Sequence, residues 1–150
     1  MKNLFEAATV DEVQRRLGLL EANSARQWGT MTPAQMAAHC SAFFEMALDE
    51  ARPPRMFIGR LIGPIVKRWV LPAEKRSPHN APTVPGYAVR DDRDLQQERE
   101  RLRVLIDRFA AGGPAGVTTH PHSFFGRMTP AEWARLMYLH LDHHLRQFGK

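Results

Sequence analysis

Apolar residues recur along most of this chain at the three-and-four spacing of helices rather than the alternation of strands. Val10, Val13, Leu17 and Leu20 mark a first amphipathic stretch. Thr9, with Glu12 three residues on, has the form of a capping box and predicts its start, while Asn23 and Ser24 predict its end. A second helix is predicted from Thr32, with Pro33 at the first helical position and Gln35 at the third, followed by Met36, Cys40, Phe43, Phe44 and Ala47. Pro53 and Pro54 stop it. A third runs from about Asp92 to Ala110, with Leu95, Leu102, Leu105, Ile106 and Phe109 inward, and ends at Gly112, Gly113 and Pro114. A fourth runs from Pro130 to about Phe148 and closes on Gly149. Val117-Thr118-Thr119 is too short for a strand, so the pattern predicts an all-α fold.

Residues 52–90 interrupt this order. The apolar run MFIGRLIGPIVKRWVL contains Gly63-Pro64, which predicts short helices or one kinked helix. Pro72, Pro78, Pro82, Pro85 and Gly86 then break regular structure. A connection this long is uncommon inside a compact domain, and it is expected to cross the fold or cover a site. An internal echo accompanies it. Residues 29–35 read Gly-Thr-Met-Thr-Pro-Ala-Gln and residues 126–132 read Gly-Arg-Met-Thr-Pro-Ala-Glu, after Trp28 and Phe125 respectively. Either a helix hairpin is duplicated or two good helix starts have converged on the same capping chemistry.

The composition fits one domain over residues 1–150, with 43% apolar residues and the single Cys40 excluding a disulfide framework. No apolar run reaches the ~18 residues of a membrane span, and the first residues lack a signal peptide's apolar middle. A reduced, cytoplasmic setting and no membrane partner are therefore expected. The net charge is +5. Arg52, Arg55, Arg60, Lys67, Arg68, Lys75 and Arg76, opposed only by Glu74, concentrate it in one stretch. Such a segment could meet phosphates or a membrane surface. No nucleic-acid motif accompanies it, so a solvated loop or a rim for an anionic ligand is expected, not a nucleic-acid site.

Five of the seven histidines (His120, His122, His140, His143 and His144) fall at residue 120 or later. On a wheel of about 100° per residue with His140 at zero, Trp133, Met137, Leu141 and Phe148 form a stripe centred near 60°. His144 falls inside it at about 40°, His140 on its flank, and His143 outside it near −60°. His140 and His144 thus have the one-turn spacing that lets two imidazoles reach one metal ion. His39, on the edge of the second helix's apolar stripe, lies at a matching level if the second and fourth helices run antiparallel. A long crossover between helices two and three would allow that. The competing reading of each ring is a hydrogen-bonded core histidine. Three neutral imidazoles suit zinc, nickel or iron and leave a coordination position for water, a thiolate or substrate. Cys40 points about 100° from His39 and reads as core. His120 and His122, in the loop before the fourth helix, read as solvated loop residues or as lining a mouth, and Asp142 or Gln147 as groups that could orient a ligand ring or simply be exposed. No phosphate loop, Ser-His-Asp signature or paired-carboxylate pattern is present.

Trp28-Gly-x-Met-Thr leading to Met36-Ala-Ala-His39-Cys40, the HP-x-x-FF-G-x-MTPAEW stretch, and the ending His140-Leu-Asp-His143-His144-Leu-Arg-Gln147-Phe-Gly resemble the DinB/YfiT-like metalloenzyme superfamily, in a bacterial branch. The similarity covers essentially the whole chain. Where that family ends in His-x-x-x-His-Arg-Gly-Gln, this chain has Leu145-Arg146-Gln147 after its histidine pair. The resemblance implies a four-helix bundle with a long crossover between helices two and three, and a divalent metal on His39, His140 and His144. It also implies thiol-dependent transferases or isomerases using low-molecular-weight thiols such as bacillithiol, mycothiol or glutathione, with homodimers common. The expected function is a metal-dependent enzyme that activates such a thiol or water on a small-molecule substrate, with the basic 52–76 segment receiving an anionic group. The alternatives are a metal-dependent hydrolase and a non-catalytic metal-binding stress or interaction protein.

Overall fold

The computed structural model describes residues 1–72 and 86–150. Glu74, Lys75, Arg76, Pro78, Pro82 and Pro85 of the sequence reading lie outside the described residues. The fold is all-α: α1 (Ala7–Gly18), α2 (Pro33–Ala47), α3 (Phe57–Val70), α4 (Leu95–Gly112) and α5 (Pro130–Gln147), with one 3₁₀ turn at Gly113–Gly116. The predicted third and fourth helices are α4 and α5. No strand occurs among the described residues, only a bridge between His122 and Gly126.

Two of the helix starts follow from local capping chemistry. At α2, Thr32 Oγ1 accepts from Gln35 N at 3.2 Å and Thr32 N donates to Gln35 Oε1 at 3.0 Å. At α5, Thr129 and Glu132 exchange the same pair of bonds at 3.2 and 2.8 Å. The echo extends to the backbone, because Gly29 and Gly126 take left-handed φ values of 75° and 78°. That conformation carries no steric cost for glycine. The predicted start at Thr9 is corrected. Glu6 stands at the cap, α1 begins at Ala7, and Thr9 is buried inside the helix with its hydroxyl on Glu6 Oε2 at 3.1 Å. Glu12 pairs instead with Lys2 and Arg16. The end is also earlier than Asn23, and Ser24 Oγ accepts from Glu21 N in a turn beyond the helix.

Contacts in sequence order give the helix directions. Gln35 donates to the Asp91 carbonyl, Glu45 pairs with Arg101 and Glu50 with Arg108, so α2 and α4 run the same way. Leu4 N donates to the Ala134 carbonyl and Arg16 to Asp142, so α1 and α5 share a direction. Gln147 at the end of α5 donates to the Trp28 carbonyl just before α2, which sets α5 against α2. α2 and α4 run parallel, so the chain between them, which includes α3, has to return along the fold. Trp133, Phe44, Phe109, Met36, Leu102, Ile106, Met137 and Leu141 are fully buried between these four helices.

Helix α3 lies in the connection and continues through Pro64, so of the two expected forms the single helix is found rather than separate short ones. The proline costs one hydrogen bond and crowds the Arg60 carbonyl; both residues are exposed, where water can take up that carbonyl. The helix sits on the loop before α5. A Cβ on Gly59 or Gly63 would stand 2.6 or 2.0 Å from the Phe124 carbonyl oxygen. Met56 N donates to the Ser123 carbonyl at 2.9 Å, and Lys67 pairs with Glu132 at 2.9 Å. Because backbone rather than a flexible side chain opposes the missing Cβ, Gly63→Ala should destabilise the fold by about 1–3 kcal/mol. Urea unfolding followed by circular dichroism measures this, and an unchanged midpoint would refute the close approach.

Candidate metal centre

α2 and α5 bring three imidazoles together. His39, on the face of α2 shared with Met36 and Phe43, is buried; His144 is buried one turn beyond the half-buried His140 on α5. One ligand nitrogen from each of the three can be chosen so that all lie within 4.8 Å of one another. His39 Nε2 and His140 Nε2 are 3.1 Å apart. Two nitrogens bound to one zinc ion at about 2.0–2.1 Å and the tetrahedral angle stand about 3.3 Å apart. The pair is at ligand spacing.

Hydrogen bonds settle which nitrogens are free. His39 Nδ1 lies 2.7 Å from the Tyr87 carbonyl, which can only accept, so Nδ1 carries the proton and Nε2 presents a bare lone pair. Gln147 Nε2 donates to the Trp28 carbonyl at 2.9 Å, which turns its Oε1 toward His144 Nδ1 at 3.0 Å. His144 therefore donates from Nδ1 and also leaves Nε2 bare. A bare His39 Nε2 at 3.1 Å from His140 Nε2 requires a positive centre between them, either a proton on His140 or an ion. His140 Nδ1 is buried with no hydrogen-bond partner among the described residues.

The surroundings keep all three rings neutral, the form that binds metal. Burial lowers the pKa of His39 against the opposing Tyr87 hydrogen bond. Burial, then repulsion from His144 and His39, holds His140 well below the usual imidazole range. Burial and His39 push His144 down to about 3, against the Gln147 hydrogen bond. The rings of Phe43 and His140 lie 4.2 Å apart, and Phe43 also meets His39 and Tyr87 at 5.0 Å. These contacts restrict rotation of both imidazoles.

The profile of a family described as "Protein of unknown function (DUF1569)" matches residues 2–150. The chain belongs to this family. No curated protein and no solved structure matches it. The convergence of His39, His140 and His144 is thus a property read from this DUF1569 chain itself. His143 stands outside the set; its ring lies 5.5 Å from Trp28 and 5.0 Å from His144. Asp142 binds Arg16 and Arg146 rather than an imidazole. Cys40 is buried beside Met36, and burial pushes its thiol pKa up, away from a reactive thiolate. Lys67 meets α5 at Glu132, eight residues before His140. That is about 12 Å along the helix, so this contact of α3 is distant from the imidazoles.

His122 corrects a sequence expectation. It is buried rather than a solvated loop residue, because its Nδ1 accepts from Phe124 N and Phe125 N at 3.1 and 3.2 Å. Its ring packs on Phe125 and Trp133. Tyr87 was also missed: it contributes a main-chain carbonyl, which every residue type possesses. Burial, then the Arg55 guanidinium, lowers the His122 pKa to about 4. An unfolded histidine titrates near 6.5, so between those values the unfolded chain binds the extra proton. Stability from this group is complete above pH 6.5 and falls by about 1.4 kcal/mol per unit as pH drops toward 4. Unfolding midpoints across this window should show a shallower fall for His122→Asn than for the parent chain, and equal slopes would refute the assignment.

Proposed function

We propose that this chain is a four-helix bundle of DinB type in which His39, His140 and His144 hold one divalent ion, zinc, nickel or iron. On this reading it is a cytoplasmic, metal-dependent enzyme that uses a low-molecular-weight thiol or water on a small-molecule substrate. The observation carrying the reading is the convergence of three imidazoles, two of which have their outer nitrogens committed to the Tyr87 carbonyl and Gln147. When bound, the ion would supply Lewis acidity and a free coordination position for thiol sulfur or water oxygen. The chain's own residues do the rest. Tyr87 and Gln147 fix the tautomers and aim two lone pairs inward. Phe43 limits ring rotation, and burial keeps the imidazoles unprotonated near neutral pH.

Thermal shift separates thiol from water chemistry. With zinc, nickel or iron present, at least one of bacillithiol, mycothiol or glutathione should raise the melting temperature, and a chelator should abolish the rise. No response to any thiol with metal bound would favour the hydrolase. Stabilisation that persists in chelator would place the thiol elsewhere on the protein.

A further inference from the structure

Helix α3 presents three different faces. With Phe57 at zero, Gly59, Gly63, Val66 and Val70 fall at about 180–240° and include the glycines against Phe124. Arg60, Lys67 and Arg68 fall at about 280–20°. Phe57, Ile58, Leu61, Ile62, Ile65 and Trp69 occupy an arc of about 0–140°, whose edge also holds Arg68 at about 20°. That last face has no partner among the described residues: Phe57 and Trp69 are each 78% exposed, Leu61 61% and Ile65 59%. Contiguous exposed patches of large apolar residues mark interaction sites rather than ordinary surface.

Charge decides between occupants. Residues 51–72 contain Arg52, Arg55, Arg60, Lys67 and Arg68 and no aspartate or glutamate. Nearby carboxylates are already committed, Glu132 to Lys67 and Asp49 to Arg52. Arg60 and Arg68 are exposed beside the apolar face, and Arg127, whose carbonyl binds Lys67, is exposed as well. A second copy docking the same face would gather cations from both helices around one interface, with no carboxylate from either α3. A bilayer with anionic headgroups answers both features at once, taking aromatic and aliphatic side chains at the acyl boundary and arginines at the phosphates. Phe57 and Trp69 are twelve residues apart, so the face is about 18 Å long and can lie flat. Gly59 and Gly63 mount it against the loop with its apolar side outward.

We propose that α3 is an interfacial helix that binds the surface of anionic membranes through Phe57, Leu61, Ile65 and Trp69, flanked by Arg60 and Arg68. No helix among the described residues is long and apolar enough to cross a membrane, and a surface-lying helix needs no span. The expectation of no membrane partner rested on the absence of an apolar span and of a signal peptide's apolar middle, neither of which bears on a surface-lying helix. This surface is independent of the imidazole cluster, so it stands or falls separately from the metal reading.

Vesicle co-sedimentation of the full chain in chelator tests it, with phosphatidylcholine vesicles containing about 30% phosphatidylglycerol against phosphatidylcholine alone. Binding to the anionic vesicles is expected, with a blue shift of Trp69 fluorescence. Phe57→Ser combined with Trp69→Ser, and separately Arg60→Glu combined with Arg68→Glu, should each weaken binding at least about tenfold while circular dichroism stays unchanged. Absence of sedimentation, equal binding by both double variants, or a dimer in light scattering that Trp69→Ser dissociates would overturn the proposal. The last outcome would assign the face to a second copy.

Discussion

His39→Ala, His140→Ala and His144→Ala should each reduce bound metal from about one equivalent per chain to less than about a tenth, whereas His143→Ala should retain most of it. The contrast follows from geometry. The first three rings contribute nitrogens within 4.8 Å of one another, and removing any one leaves two ligands where an open catalytic site needs three. His143 is the nearest control, adjacent in sequence to His144 with its ring only 5.0 Å away. It projects from another side of α5, toward Trp28. Metal analysis by mass spectrometry on tag-free protein reads the result directly. Equal loss in His143→Ala would show that histidine density rather than the convergent set holds the ion.

The second large effect belongs to a residue that touches no ion. Gln147→Leu should weaken metal affinity by about 10–100-fold, because outer partners of a ligating imidazole fix its tautomer and orientation. Gln147 is buried, donates to the Trp28 carbonyl, and thereby presents its oxygen to His144 Nδ1. Leucine preserves the approximate volume and removes both bonds, freeing His144 to carry its proton on Nε2 instead of Nδ1. Gln147→Glu retains the acceptor for His144 but loses the donor to the Trp28 carbonyl, so it should recover only part of the affinity. Competition with a chromophoric chelator measures both variants. A leucine variant of unchanged affinity with an intact melting curve would remove Gln147 from the site.

Capping boxes are local, so Thr32-Pro33-Ala34-Gln35 and Thr129-Pro130-Ala131-Glu132 placed α2 and α5 from sequence alone. With α5 placed, Trp133, Met137 and Leu141 defined its buried stripe, and helical phase separated His140 and His144 from His143. His39 followed from its level on α2. What escaped depends on neighbours distant in sequence. Thr9 and Glu12 have the form of a capping box, but Glu6 occupies the cap position without a side-chain cap bond and the helix starts earlier. Gly63-Pro64 left short helices and a single helix both open, and the exposed position of Pro64 lets α3 continue as one. His122 lies in a loop, where no periodicity reports burial, and its environment comes from Trp133 and the bridge to Gly126. The Tyr87 carbonyl leaves no trace in side-chain chemistry. Clustering of histidines near the chain's end was a partial guide, since the partner that completes the set lies about a hundred residues upstream on α2.

The most direct measurement is the metal content of the protein purified without a histidine tag, before and after addition of zinc, nickel or iron. About one equivalent per chain in at least one of these conditions is expected, with the bound ion protecting the fold against heat. Less than about a tenth of an equivalent under every condition would contradict a three-histidine metal centre and leave His39, His140 and His144 as a buried hydrogen-bonded cluster.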